Sequence, residues 1–302
     1  MITYNHQDFI ESAILGVLNQ ETNFNYELII SNDNSIDKTH QIISKIIDNH
    51  PKKDKVKYFN NEENLGMMTN YINTLKKCTG KYIAICDGDD YWIDKTKLQM
   101  QFDFLMENKE CGLVYTLKKN LYPDGKFIDD KPISTDQRTT NIDDLLNQNY
   151  ICASTILFRN KIMELNFADW YYASPYGDWP VYMYLLQNGE EIFCIDKITT
   201  VYRKNVGITT GVTNNAIKSL ENQFKVFDGM QSDSNYNVIH NKISKRIYNL
   251  KVNLMAVYNK ERLYLSSLKC FITLITSKSN NLEFKVFKVY LKSLFKGLKI
   301  IK

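Results

Sequence analysis

Short apolar segments alternate with amphipathic helical patterns along the first 86 residues, and this alternation limits what the chain can fold into. The predicted strands cover residues 26–31, 56–59 and 82–86, and a predicted helix precedes each of them. Strands that are apolar along their whole length are buried on both faces of a sheet. The sequence therefore predicts an α/β fold, a doubly wound, mostly parallel sheet with helices on both faces.

Polar clusters follow the predicted strands where each one ends. They are residues 3–5, 32–35, 60–64 and 87–90. In open α/β sheets, ligands bind in a crevice at the carboxyl ends of the strands. We therefore expect these four clusters to line one crevice.

The remaining chain divides into a mixed part and a helical part. A helix is predicted at 94–106, a strand at 112–117, and a polar excursion without periodicity at 118–149. Two short strands are predicted at 192–195 and 198–202, and the pattern beyond 214 is helical. These patterns predict a catalytic-type domain over 1–213 and a helical region over 214–302.

Charge and cysteine usage narrow the class of protein. The chain has 38 Lys and Arg against 34 Asp and Glu, a balance that gives no reason to expect nucleic acid as a partner. Six cysteines without a Cys-x-x-Cys pair predict the reducing cytoplasm as its location. No apolar run approaches the roughly 20 residues of a membrane-spanning helix.

Several common catalytic motifs are missing from the sequence. It contains no Gly-x-x-x-x-Gly-Lys loop, no Gly-x-Gly-x-x-Gly, no His-Glu-x-x-His and no Gly-x-Ser-x-Gly. The four histidines are not paired at ligand spacing, so we expect surface or structural roles for them. The nucleotide triphosphatase, dehydrogenase, zinc protease and serine hydrolase classes are disfavoured.

The segment from Asp87 to Asp90 places three carboxylates within four residues at the end of a buried strand. Their mutual repulsion is relieved by a cation, and Mg²⁺ or Mn²⁺ bound by one or two carboxylates usually completes its shell with phosphate oxygens and water. A solvated acidic turn that caps the next helix is the alternative.

Three further residues have both a functional and a structural interpretation. Asp33 accepts a hydrogen bond from a base or ribose, or caps the helix that follows it. Tyr4 stacks on a base or packs against the protein. Asp178 is a general base among aromatic residues suited to sugar stacking, or it is a helix cap.

Seven motifs in order resemble glycosyltransferase family 2, the nucleotide-sugar enzymes of the GT-A fold. They are ITYNH at 2–6, SAILGVLNQ at 12–20, SNDNSIDKT at 31–39, NLG at 64–66, GKYIA at 80–84, DGDDYW at 87–92 and GDWP at 177–180. The resemblance covers about residues 1–205.

This resemblance implies a nucleotide pocket and a sugar donor that is a nucleotide diphosphate sugar, with UDP as the expected carrier. Thr3, Tyr4 and Asp33 would hold the base, and Asn64 and Asn70 would border the same pocket.

It also implies the residues that carry the chemistry. Asp87 would face the ribose, Asp89 and Asp90 would hold the Mg²⁺ or Mn²⁺ that bridges the diphosphate, and Asp178 would deprotonate the acceptor hydroxyl. The implied reaction is a single displacement with inversion in the assembly of cell-surface polysaccharide or glycolipid.

The chain departs from the family pattern at three places. Asn32 stands where the family commonly has an Asp, and Arg203 or Lys204 would have to replace a His often found near that position. The first strand is shorter than usual before Thr3. We expect the physiological protein to begin upstream, or this form to bind nucleotide poorly.

The last predicted helix is amphipathic and basic. Its apolar stripe consists of Phe284, Phe287, Leu291, Leu294, Leu298 and Ile301, and six lysines lie elsewhere on it. It fits the cytoplasmic face of an anionic bilayer, where lipid-linked saccharide acceptors lie, or it packs on the protein core.

Two other functions use the same features. A sugar nucleotidyltransferase also uses an α/β sheet and Mg²⁺, but a Gly-rich basic loop is expected after its first strand, where this chain has residues 4–8, YNHQD. A nucleotide-sugar binding protein without turnover would bind UDP and be unaffected by Asp178→Asn.

Overall fold

The chain forms two units, Met1–Gly207 and Ile208–Lys302. The computed structural model describes residues 1–132, 138–206, 215–276 and 283–298. The predicted boundary between residues 213 and 214 lies outside these ranges.

Strands and helices alternate through the first unit. Its strands are β1 (Ile2–Thr3), β2 (Leu28–Asn32), β3 (Val56–Asn60), β4 (Tyr82–Ala84), β5 (Tyr91–Trp92), β6 (Cys111–Leu121), β7 (Phe127–Asp129), β8 (Thr139–Thr140), β9 (Ile156–Arg159) and β10 (Glu191–Arg203). Its helices are α1 (Ile10–Leu18), α2 (Thr39–Asn49), α3 (Met67–Lys76), α4 (Lys97–Glu107), α5 (Ile142–Asn147), α6 (Asp169–Tyr172) and α7 (Asp178–Leu186).

The first sheet is parallel, in the order β1-β2-β3. Every residue of β2 is buried, as predicted for a strand covered on both faces. Ile30 packs with Ile10 and Ile14 of α1 and Ile43 of α2 in one core cluster. The alternation predicted for this part of the chain is confirmed.

The second sheet has the central order β4-β9-β6-β10-β5, and its strands run in both directions. β10 is parallel to β6, whereas β9 is antiparallel to both β4 and β6. The two short strands predicted near residues 192–202 are one strand whose register shifts relative to β6. The α/β class holds, but β5, β7, β8 and β9 pair antiparallel with their neighbours in this sheet.

The polar excursion at 118–149 is more ordered than the sequence predicts. β7 pairs antiparallel with the end of β6, and β8 pairs with β10. Asn141 caps α5 by accepting from the Asp143 amide, and Asp144 completes a capping box. Elements of two to six residues are too short to show a hydrophobic period.

A cavity of about 540 Å³ lies beside β2 and β4. Met1, Leu28, Ile29, Ile83 and Leu157 are among its lining residues, so it is mainly apolar. β1 pairs with β2 but not with β4 among the described residues. The expected upstream start of the first strand remains a prediction.

Lys97, at the start of α4, is fully buried beside the strand end that carries the acidic cluster. Its ammonium lies 4.2 Å from the centre of the Trp92 ring and donates to Gln101 Oε1 at 2.7 Å. Burial lowers the pKa of Lys97 to about 7. The side chain therefore fixes Trp92 to α4 at the cost of desolvating an amine.

This buried amine predicts an unusual pH dependence of stability. Between about pH 7 and 10 the unfolded chain keeps the proton on Lys97 while the folded chain does not, so the free energy of unfolding rises with pH by at most about 1.4 kcal/mol per unit. Lys97→Met should flatten this rise in urea denaturation, and Lys95→Met, at an exposed position, should not. Parallel curves for wild type and Lys97→Met would contradict the assignment.

The second unit is helical in its described part, as predicted. Its helices are α8 (Ala216–Gln231), α9 (His240–Lys260), α10 (Tyr264–Thr276) and α11 (Glu283–Gly297). Met255, Leu274 and Val286 form one buried apolar cluster in it. No helix in the described ranges combines the length and apolarity needed to cross a bilayer.

The helix α11 packs through a different face from the predicted stripe. Val286 is buried, and Ser293 accepts a hydrogen bond from Asn259 of α9 at 2.8 Å. Phe287 and Leu298 of the predicted stripe remain 49% and 47% exposed. The side chain of Phe284 and all of Ile301 lie outside the described part of the chain. Part of the predicted apolar stripe of α11 is therefore exposed.

Candidate active site

The turns that follow β1 and β2 are joined by side-chain hydrogen bonds. Asn5, at φ 54°, accepts from the Ile36 amide through Oδ1 at 3.0 Å, and its own amide donates to Ser35 Oγ at 2.9 Å. Thr3 is buried, whereas Tyr4 is 37% exposed. The two strand ends form one wall on which the ring of Tyr4 remains accessible.

Asp33 is buried directly after β2, and its carboxylate organises the loop that leads into α3. Oδ1 accepts from the Leu65 amide and from Asn61 Nδ2, and Oδ2 accepts from the Gly66 amide, each at 2.9 Å. The same Asn61 amide donates to Asn70 Oδ1 at 3.1 Å. Asp33 therefore holds the loop and has lone-pair capacity left for a ligand.

The other two predicted pocket residues take part in the same loop. Asn70 is buried and donates to Ser31 O of β2 at 3.1 Å, which ties α3 to the sheet. Asn64 is exposed, and its Oδ1 accepts from the Gly66 amide at 3.0 Å. Asn70 thus supports the loop from a buried position, whereas Asn64 lies exposed on the same loop.

The three carboxylates of the acidic cluster have different surroundings. Burial, followed by repulsion from Asp89, raises the pKa of Asp87 to about 7. Asp90 is 2% exposed, and its oxygens accept from Ser154 Oγ at 2.8 Å and from the Arg203 amide at 3.0 Å. Asp87 and Asp89 are both partly exposed.

Gly88 lies where the acidic cluster meets β1. Its amide donates to Ile2 O at 3.0 Å, and a Cβ at this position would lie 2.8 Å from the Cβ and Oγ1 of Thr3 and from Nδ1 of His6. Only glycine allows the cluster to approach β1 this closely.

Gly88→Ala should therefore displace the first strand from the cluster. We expect the affinity for UDP, measured by calorimetry with Mn²⁺, to fall at least about tenfold as two parts of the pocket separate. Gly125→Ala is the control, because nothing lies near its Cβ, although its positive φ adds strain of its own. Unchanged UDP affinity in Gly88→Ala would refute the importance of this contact.

Arg203 closes the cluster from the end of β10. Its guanidinium donates to Asp89 O at 2.5 Å and to Ser12 Oγ at 3.1 Å. It also lies between the rings of Phe9 and Tyr91, at 4.8 and 4.6 Å from their centres. These contacts fix the guanidinium beside the predicted metal ligand.

Asp178 is the first residue of α7, and burial raises the pKa of its carboxyl group. Asn149 Nδ2 donates to its Oδ2 at 3.1 Å, and the Trp179 amide donates to its Oδ1 at 2.8 Å. The charge of Asp178 contributes to the raised pKa of Asp87. Gly177, directly before Asp178, packs against Met68 and Tyr71 of α3, so the predicted base lies beside the helix that also carries Asn70.

Part of the aromatic surroundings predicted for Asp178 belongs to the core. Tyr171 and Trp179 are buried, and Trp179 Nε1 donates to Leu145 O at 2.9 Å. Tyr172 is 38% exposed, so only part of its ring is accessible. Stacking on a sugar would involve the accessible rings and not these two.

Three residues near the site were missed by sequence reasoning. The sequence predicts a surface or structural role for His6. In the structure its Nδ1 shares a hydrogen bond with Thr3 Oγ1, and the ring interacts electrostatically with Asp89. Ser154 and Asn149 contact predicted carboxylates from segments with no recognisable motif. Only the position of His6, directly after the first polar cluster, offered a sequence signal.

Comparison with known proteins identifies the family. The profile of glycosyl transferase family 2 matches residues 1–165. An uncharacterized protein of Mycobacterium tuberculosis is 29% identical over 207 residues, 68% of this chain and 57% of that protein. The chain thus spans a little over half the length of that relative.

A second relative has a named activity. The UDP-Glc:alpha-D-GlcNAc-diphosphoundecaprenol beta-1,3-glucosyltransferase WfaP of Escherichia coli is 28% identical over 239 residues, which cover 78% of this chain and 87% of WfaP.

Two solved structures share the fold. S. aureus TarS 1–349 in complex with UDP has a TM-score of 0.63 at 17% identity, over 99% of this chain and 88% of that one. The mannosyltransferase PcManGT of Pyrobaculum calidifontis, with GDP-Man and Mn²⁺, has a TM-score of 0.57 at 13% identity, over 99% and 80%. These likenesses confirm the predicted GT-A-like fold, and since the profile matches more than half of its residues, this chain belongs to glycosyl transferase family 2.

Proposed function

We propose that this chain transfers a sugar from a nucleotide diphosphate sugar, with UDP as the nucleotide, to an acceptor hydroxyl with inversion. The observation that carries the proposal is the packing of Gly177, directly before Asp178, against α3, whose Asn70 is hydrogen-bonded to β2 and to Asn61 of the Asp33 loop. Membership of family 2 and the UDP bound by TarS support it.

The nucleotide would lie against the strand ends. Tyr4 offers an exposed ring for the base, and Thr3 supports that wall from beneath. Asp33 would accept from the base edge, and Asn64 and Asn70 would bound the pocket and hold its loop. Asp87 would accept a hydrogen bond from a ribose hydroxyl.

The donor set of the acidic cluster fits Mg²⁺ or Mn²⁺. Asp89 provides an accessible carboxylate, and Asp90, the second predicted ligand, lies next to it but already accepts two hydrogen bonds. No three His, Cys, Asp or Glu side chains within the described ranges form a complete metal site, so diphosphate oxygens would complete the shell. A bound divalent ion would neutralise charge on the departing diphosphate.

Asp178 would act as the general base. Its raised pKa makes it a stronger base than an exposed carboxylate, and Asn149 holds its orientation. The acceptor hydroxyl gives its proton to Asp178 as its oxygen attacks the anomeric carbon. The bond from that carbon to the diphosphate breaks, and the nucleoside diphosphate leaves from the opposite face.

The name of one relative supports a proposal for the acceptor. We propose a saccharide or lipid-linked acceptor used in cell-surface polysaccharide or glycolipid assembly, because WfaP is named for a diphosphoundecaprenol-linked acceptor. A cytoplasmic protein could meet such lipids through α11, which exposes Phe287 beside Lys288.

A thermal-shift screen tests the proposed function. UDP-glucose, UDP-N-acetylglucosamine and GDP-mannose are added with and without Mn²⁺, and at least one of them should raise the melting temperature more when Mn²⁺ is present. ATP serves as the nucleotide control. No stabilisation by any nucleotide sugar would contradict the proposal.

A further inference from the structure

Two tyrosine hydroxyls near the proposed site are buried without a hydrogen-bond partner. Tyr71 is 8% exposed and Tyr182 is fully buried, and neither hydroxyl oxygen has a donor or acceptor within reach in the described structure. A buried polar group left unpaired costs about 1–3 kcal/mol. An unpaired group of this kind requires an explanation, such as a bound water or ion or a role in catalysis.

Both tyrosines flank Asp178. Tyr182 lies one helical turn after Asp178, at i+4 on the same face of α7. The ring of Tyr71, from α3, lies against Gly177, where a Cβ would be 3.0 Å from Tyr71 Cδ1 and 3.1 Å from Met68 Sδ. The missing side chain at Gly177 therefore lets α3 come close to the proposed base.

The position of the two hydroxyls points to one part of the substrate. Each tyrosine interacts electrostatically with both Asp178 and Asp87, so each lies near the proposed base and near the proposed ribose ligand. In the proposed reaction the donor sugar lies between the nucleotide and the acceptor hydroxyl. Groups near both ends are therefore placed beside that sugar.

We propose that the hydroxyls of Tyr71 and Tyr182 bind the sugar ring of the nucleotide sugar donor and take part in its selection. This inference rests on the proposed function. A tyrosine hydroxyl both donates and accepts, as do the hydroxyls of a pyranose ring, so the match is chemical as well as positional.

The test compares Tyr71→Phe and Tyr182→Phe with wild type by calorimetry in Mn²⁺. Each protein is titrated with UDP and with whichever of UDP-glucose and UDP-N-acetylglucosamine wild type binds more tightly. UDP affinity should stay within about twofold, whereas the ratio of the sugar-nucleotide Kd to the UDP Kd should rise about three- to tenfold. The melting temperature should not fall, because no protein hydrogen bond is lost.

Tyr248→Phe is the matched control. Its hydroxyl is also buried and unpartnered among the described residues, but it belongs to α9 in the second unit. An unchanged Kd ratio in Tyr71→Phe and Tyr182→Phe, or an equal change in Tyr248→Phe, would overturn the inference. Wild type that binds neither UDP nor a UDP-sugar would instead contradict the proposed function.

Discussion

Asp178→Asn should lower the kcat of sugar transfer by about 10²- to 10⁴-fold, the range expected when a general base is removed. The amide keeps the shape of the side chain and can still interact with Asn149, but it cannot take the proton of the acceptor hydroxyl. Because the change is made at the base and not in the nucleotide pocket, UDP affinity should change little.

Asp169→Asn is the control for this substitution. Asp169 is also the first residue of a helix, α6, but its side chain is exposed. Its replacement should leave kcat unchanged. If Asp178→Asn retained wild-type kcat, or if it lost UDP binding in parallel with activity, Asp178 would not be the base.

Asp89→Asn should remove the effect of Mn²⁺ with little loss of protein stability. Asp89 is a partly exposed carboxylate of the cluster, and losing its charge should weaken the binding of the ion that neutralises the diphosphate. We expect transfer to fall about 10²-fold or more, since charge stabilisation of a leaving group is a large part of such catalysis. The Mn²⁺-dependent gain in melting temperature with UDP should disappear.

Asp90→Asn, at the second proposed metal ligand, should differ from Asp89→Asn by also lowering the stability of the protein. The amide group replaces an oxygen that accepts from Ser154 or Arg203, so a buried hydrogen bond is lost and stability should fall by about 1–3 kcal/mol. The melting temperature without ligand separates the two variants. A large loss of stability in Asp89→Asn and none in Asp90→Asn would contradict the expectation that Asp90, and not Asp89, stabilises the fold through its buried hydrogen bonds.

The sequence predicts β2, β3 and β4 because each is a short apolar segment preceded by a helix of nine to eleven residues, which is long enough to show a hydrophobic period. The parallel order of β1, β2 and β3 follows from strands that helices separate, and of the three only β2 is buried along its whole length. The two-residue strand β8 and the six-residue helix α5 carry too few residues for the same reasoning. The mixed pairing of β9 likewise depends on contacts between distant segments.

The sequence indicates which residues belong to the candidate site, but it does not show how their surroundings differ. Sequence spacing identifies Asp89 and Asp90 together, yet their different surroundings arise from Ser154 and Arg203, 64 and 113 residues away from Asp90. In the sequence, Tyr71 and Tyr182 occupy positions that are typical of the apolar face of a helix. Only the fold reveals that their hydroxyls are buried near two carboxylates.

Release of nucleoside diphosphate together with glycosylation of the acceptor is the most direct test of the proposed sugar transfer. Wild type is incubated with UDP-glucose or UDP-N-acetylglucosamine, Mn²⁺ and a lipid-diphosphate-linked N-acetylglucosamine acceptor, and free UDP and glycosylated lipid are quantified together. We expect equal amounts of the two products, dependent on Mn²⁺ and reduced about 10²-fold or more in Asp178→Asn. UDP-sugar that binds but gives neither product, or equal turnover in Asp178→Asn, would contradict it.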